Sequence, residues 1–196
     1  MNLKYEKIYE TPLGIPSYDF ECSIPMPIET EPKLWKKFIH GCSSMIYGSM
    51  EYKRYVKTKK LDEGIPCCVR CGETITIELH HHPLRLEDYV YSTLNYLQKK
   101  NIAFSSLMIA DLVLRMHYKN IIGYTFLCKT HHDKFHESNN VIIPENEIRG
   151  DFDLIMKDDI MMDNLSDQAK ARLVEYAPEF AEKFDIYVEE DFSSDD

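Results

Sequence analysis

The sequence has no run of about 18 apolar residues, so no membrane-spanning helix is expected. Its first residues, MNLKYEKIYETPLGIP, lack a basic segment followed by an apolar one, so no secretory signal peptide is expected. A cytoplasmic location is expected. No internal repeat is present. An excess of basic residues is missing too, because the formal net charge is −10. A tight, non-specific nucleic-acid binder gains most of its affinity by neutralising phosphates, and the overall acidity argues against one.

The 196 residues are 44% hydrophobic and 12% aromatic, enough for one sizeable core with appendages. Charge is uneven along the chain. Residues 1–144 carry 18 Lys and Arg against 16 Asp and Glu, whereas residues 145–196 carry 5 against 17, a local net charge of −12. Three regions are expected: an N-terminal extended and helical region over 1–62, a central domain over 63–144, and an acidic C-terminal region over 145–196.

Residues 1–32 hold five of the nine prolines and are expected to be extended or loop-like. The spacing of Leu34, Trp35, Phe38 and Ile39 predicts a helix over 33–48. The stretch MEYKRYVKTKK (50–60) is basic with interleaved tyrosines, either a solvated helix face or a strip that touches phosphates. The β-branched alternation of Thr-Ile-Thr-Ile-Glu-Leu predicts a strand that delivers His80, His81 and His82 at its end. Helices are expected over 86–101 and 105–120, with Ser105 or Ser106 capping the second. A short strand is expected over 121–128 and a helix over 129–139. One amphipathic helix is expected over 164–184, kinked or broken at Pro178, before a disordered tail. His40 and His117 are read as structural, and Trp35 as core or interface.

Six cysteines sit at 22, 42, 67, 68, 71 and 128. In a reducing compartment, Cys68-Val-Arg-Cys71-Gly72 reads as a metal clip: two thiolates converge on one tetrahedral ion and the glycine permits the turn behind them. Cys128-Lys-Thr-His131 can close a Cys3His zinc site. The competing readings are that Cys67, Cys68 and Cys128 are small buried apolar residues, or that Cys67 or His132 replaces one of the four ligands.

His132 and His136 form an i, i+4 pair, which on a helix projects both imidazoles from one face. With one histidine from the 80–82 run, three nitrogens can hold a divalent ion and leave coordination positions open, as a catalytic site requires. A further histidine that is not a ligand can take a proton from water.

The order CxxCG, strand, ELHH, Pro, then a late CxxH and HDKFH resembles the HNH endonucleases of the ββα-metal (His-Me finger) fold. It is closest to the zinc-stapled subgroup and the colicin DNase version of the His-His and H-x3-H motifs. The resemblance covers residues 64–140. It implies an α+β fold: a ββα-metal core with a zinc knuckle, a helical insertion over 86–120 and a mostly helical, acidic C-terminal extension. It implies a nuclease that hydrolyses phosphodiester bonds. His80, His132 and His136 would hold Mg2+ or another divalent ion, His81 would be the general base, and Cys68, Cys71, Cys128 and His131 would hold a structural Zn2+. Arg70, Lys129 and Lys134 would contact the backbone of a nucleic acid, expected to be DNA. The working pair is either His80/His81 or His81/His82, since His82 stands before Pro83. The family's central Asn position falls on Gly123. Such a chain is at home in a phage or mobile element. A second reading keeps the zinc-stapled scaffold without catalysis and has its acidic C-terminal region dock on a protein partner, by DNA mimicry in one version. A third has the histidines as a hydrogen-bonded polar cluster without metal.

Overall fold

The computed structural model describes residues 5–10, 16–20, 32–62, 64, 66–137, 143–151 and 159–186. Cys22, the 138–142 segment and the terminal 187–196 stretch lie outside the described residues, as does the expectation of a disordered tail. The fold is mixed α+β and mostly helical, as the sequence leads one to expect. Near the N-terminus, β1 (Tyr5–Glu10) pairs antiparallel with β2 (Pro16–Phe20), Tyr5 opposite Phe20 and Glu10 opposite Pro16.

Four helices between residues 32 and 118 supply most of the larger core. In α1 (Pro32–Gly48), proline opens the first turn, where its missing N–H costs nothing. Trp35, Ile39, Cys42 and Ile46 then form one buried stripe at helical spacing. In α2 (Met50–Asp62), Ser49 Oγ accepts from the Tyr52 N–H and so caps the helix. Tyr52 and Tyr55 are buried while Lys53, Arg54 and Lys57 face solvent. Lys59 and Lys60, at the end of the same basic stretch, are half-buried.

Between the strands β3 (Ile77–His81) and β4 (Tyr124–Cys128) lie α3 (Leu86–Lys99) and α4 (Ser106–Tyr118). They are inserted in a hairpin, yet Leu86, Tyr89, Val90 and Leu94 of α3 and Ile109 and Val113 of α4 sit at the centre of the larger apolar cluster. That cluster also takes in Trp35 from α1 and Leu173 near the C-terminus, so it joins all three stretches of the chain. Ser105 caps α4 by accepting from the Met108 N–H at 3.1 Å. Ser105→Ala is expected to cost about 1 kcal/mol of stability, read as a lowered urea midpoint at unchanged slope. A midpoint shift within error would remove this cap from the account.

The smaller unit is a hairpin and a helix. β3 (Ile77–His81) pairs antiparallel with β4 (Tyr124–Cys128), Ile77 opposite Cys128 and His81 opposite Tyr124. α5 (Lys129–Glu137) follows β4 without a break. Cys68, Ile77, Tyr124, Phe126, Leu127, Cys128 and Ile143 close a second, smaller core beneath them. After a 3-10 turn at Glu145–Glu147, an isolated antiparallel bridge joins Arg149 to Tyr124. The next residue must be glycine: Gly150 has φ +90°, and a Cβ there would stand 2.5 Å from the Ile122 carbonyl oxygen.

The last described helices are α6 (Asp159–Met162), α7 (Asp167–Tyr176) and α8 (Phe180–Lys183). Ser166 caps α7. The single helix expected over 164–184 is thus two, and the break falls at Pro178, whose ring cannot continue a helix ladder.

Candidate functional site

The knuckle at 67–72 is built by backbone bonds. Cys68 N–H donates to the Glu73 carbonyl, the N–H groups of Cys71 and Gly72 fold back on the Cys68 carbonyl, and Gly72 takes φ +73°. Val69 N–H donates to the Phe126 carbonyl, which docks the knuckle on β4. Cys128 ends β4, and His131 lies three residues on, in the first turn of α5.

The ligand atoms of Cys68, Cys71, Cys128 and His131 all lie within 4.8 Å of one another. Cys71 Sγ and Cys128 Sγ are 3.9 Å apart, and His131 Nδ1 is 3.5 Å from Cys68 Sγ and 3.3 Å from Cys128 Sγ. A tetrahedral ion with Zn–S near 2.3 Å and Zn–N near 2.0 Å needs edges of about 3.8 Å and about 3.5 Å. The four donors therefore fit zinc. Burial pushes the Cys68 thiol up, but the backbone groups of Cys128, Arg70 and Cys71 together outweigh it and bring the thiol down to about 6. That favours the thiolate that metal binding uses. Cys67 is exposed and stands outside this group, and Cys42 is buried in the larger core, where desolvation raises its thiol to about 11.

The second centre uses two periodicities. Along β3, Glu78, His80 and His82 point to one face and Leu79 and His81 to the other. Along α5, residues 131 and 132 differ by about 100° in direction, so His131 reaches the cysteines while His132 turns toward β3, with His136 one turn further on. The ligand nitrogens of His80, His132 and His136 lie within 4.8 Å of one another. Glu78 Oε2 is 3.1 Å from His132 Nδ1, which points the Nε2 lone pair inward, the second-layer carboxylate common at metal-binding histidines. Phe135 packs its ring 4.4 Å from that of His80.

Burial, followed by the neighbouring His132 and His136, pushes His80 down to about 3. His132 is lowered by burial and by His136, against the pull of Glu78. With His80 and His132 both lowered, their lone pairs stand free for a cation. Three imidazole nitrogen donors suit a first-row transition ion such as Zn2+, Ni2+ or Mn2+ better than Mg2+, which prefers an oxygen shell.

Two cavities meet at these histidines. One, of about 330 Å³, is lined by His80, His81, His132 and His136 with Lys60 and Arg85. The other, of about 260 Å³, lies between the end of β3 and α7, with Arg172 and Tyr176 on its far wall. His81 is buried on the opposite face of β3, its Nε2 3.0 Å from that of His117. His82 sets its ring edge-on to Tyr176 at 5.6 Å, and burial lowers it to about 4.

A model of the family described as bacteriophage G278-like virion protein matches residues 14–194. The chain belongs to that family. The phage origin that the resemblance suggested is thereby borne out, and the matching family is a virion protein family rather than the HNH family its motifs resemble. No curated protein and no solved structure matches this G278-like chain. Among the described residues, no helix is long and apolar enough to cross a membrane.

Of the cations expected to touch nucleic acid, Arg70, Lys129 and Lys134 are exposed and none lines either cavity. Lys129 Nζ is 3.2 Å from the Asp133 carboxylate. The cavity cations of the G278-like chain are instead Lys60 and Arg85. Lys60 belongs to the basic 50–60 stretch, one reading of which is phosphate contact, whereas sequence reasoning passed over Arg85. Glu78 was within reach, since strand alternation places it on the side of His80. Gly123, at the position of the missing Asn, accepts the His82 N–H through its carbonyl, a bond that needs no side chain.

Proposed function

We propose that this G278-like virion protein is a metal-dependent endonuclease of HNH type that hydrolyses phosphodiester bonds of DNA, with a structural zinc at the cysteine clip. One observation carries the reading. The ligand nitrogens of His80, His132 and His136, delivered by β3 and by the helix directly after β4, converge beside a cavity that His81 also lines. An ion bound there would neutralise charge developing on the scissile phosphate. His81, held neutral, takes the proton of the attacking water. Arg85 and Lys60 bind phosphate oxygens within the cavity, and Arg70, Lys129 and Lys134 hold flanking phosphates from the rim. The family's description as a virion protein supports a place in the phage particle rather than free in the host cytoplasm.

The test is nicking of supercoiled plasmid by the full chain with Mn2+, Ni2+, Zn2+ or Mg2+. Wild type is expected to nick. His81→Ala is expected to lose at least about 100-fold in rate while keeping its circular dichroism and metal content. No nicking with any ion, or equal rates in the two proteins, sinks the reading.

A second reading is favoured by the family's description and by the net charge of −12 over residues 145–196: a zinc-stapled module that docks on a basic protein surface of the particle. Metal counting separates the two. Two ions per chain support the nuclease, and one supports the module.

A further inference from the structure

His81 and His117 come from β3 and α4, 36 residues apart, and meet inside the larger core with ring centroids 5.2 Å apart. His117 is wholly buried. Its Nδ1 stands 2.8 Å from the Val113 carbonyl oxygen one turn back on α4. A carbonyl can only accept, so Nδ1 carries the proton. With burial the main cause, the His117 imidazole is lowered to about 4 and is neutral, which leaves Nε2 a bare lone pair. The two Nε2 atoms are 3.0 Å apart, and the one proton between them must therefore sit on His81. Tyr52 and Tyr55 hold the arrangement from the side, their rings edge-on to His117 at 5.3 Å and 5.1 Å.

We propose that His117 is a positioning residue: it fixes His81 as the Nε2–H tautomer and leaves Nδ1 as the single atom of His81 that can accept a proton. Its catalytic consequence rests on the reading of His81 as general base. The tautomer itself is a property of the folded chain, whether or not any substrate is cut. A base whose tautomer is set before substrate arrives presents its lone pair in one direction, and a ring free to exchange tautomers loses that.

The experiment is long-range proton–nitrogen NMR on the 15N-labelled, zinc-saturated full chain at neutral pH, with His117→Phe and His117→Gln beside the wild type. Wild type is expected to show His81 protonated at Nε2 and bare at Nδ1, with a nitrogen–nitrogen coupling to His117 across the hydrogen bond. His117→Phe keeps a ring of similar size but no acceptor, and is expected to lose the coupling and mix the tautomers. His117→Gln offers an amide oxygen and is expected to restore Nε2–H. In the nicking assay, His117→Phe is expected to lower kcat about 10-fold or more at unchanged KM and metal content, with partial recovery in His117→Gln. A proton on Nδ1 of wild-type His81, an unchanged tautomer in His117→Phe, or an unchanged kcat overturns the proposal. Should His117→Phe not fold, the wild-type spectrum still decides. If the wild type shows the tautomer but cuts no substrate, the tautomer assignment stands and the nuclease reading falls.

Discussion

Cys128→Ser is expected to remove one zinc ion per chain and to destabilise the protein by about 3–5 kcal/mol, a fall in melting temperature of roughly 10 °C for a chain of this size. The clip joins the 68–71 knuckle to the 128–131 turn, sites that are 57 residues apart at Cys71 and Cys128. Without the ion, closing that long loop is left to a hairpin and a small apolar core. Cys68 is almost wholly buried, so its thiolate would also lose the charge that compensates it. The measurements are elemental analysis for zinc and differential scanning calorimetry. Cys67→Ser is the control: Cys67 is exposed and outside the cluster, so zinc content and melting should match wild type. If Cys128→Ser keeps both its zinc and its melting temperature, the cysteines are small core residues and the clip reading is wrong.

Asp88→Ala is expected to cost about 3–5 kcal/mol, with α7 loosening first. Asp88 is only 6% exposed. Its two oxygens accept from Arg172 Nη2 at 2.6 Å and 2.7 Å, and one also accepts the Arg85 N–H at 2.7 Å. The carboxylate therefore does two jobs: it caps the start of α3 and it pins α7 across the inserted helices. Removing it leaves a partly buried guanidinium without its counter-charge, and Arg172 Nε has no hydrogen-bond partner among the described residues. α7 forms the far wall of the cavity beside His80 and His82, so amide exchange over 167–176 should rise before the core opens. A loss under about 1 kcal/mol would mean that the pair is a solvated surface contact.

Much of the candidate site was legible because its parts are local. A CxxCG turn, a CxxH at a strand-to-helix junction and an i, i+4 pair each state their geometry within five residues. The strand and helix periods then decide which neighbours separate, so His80 and His81 leave β3 on opposite faces, and His131 and His132 leave α5 toward different centres. The helices over 32–48, 86–99 and 106–118 were legible for the same reason, since each carries a buried stripe at helical spacing. The acidic balance of residues 145–196 was plain from counting, but their role in walling the second cavity was not.

By itself the sequence marked two candidate ligand sets, the hairpin-and-helix frame that brings them near one another, and a kink or break at Pro178. The tertiary structure alone decided what surrounds them: His117 behind His81, Arg172 on Asp88 across 84 residues, and Lys60 with Arg85 rather than Arg70, Lys129 or Lys134 inside the cavity. The physical reason is the range of the forces that choose each feature. Ligand spacing and helix period follow from backbone geometry over a turn or two. A buried histidine pair, a buried ion pair and the lining of a cavity follow from which apolar faces of distant elements bury one another, and no local stretch of the chain records that choice.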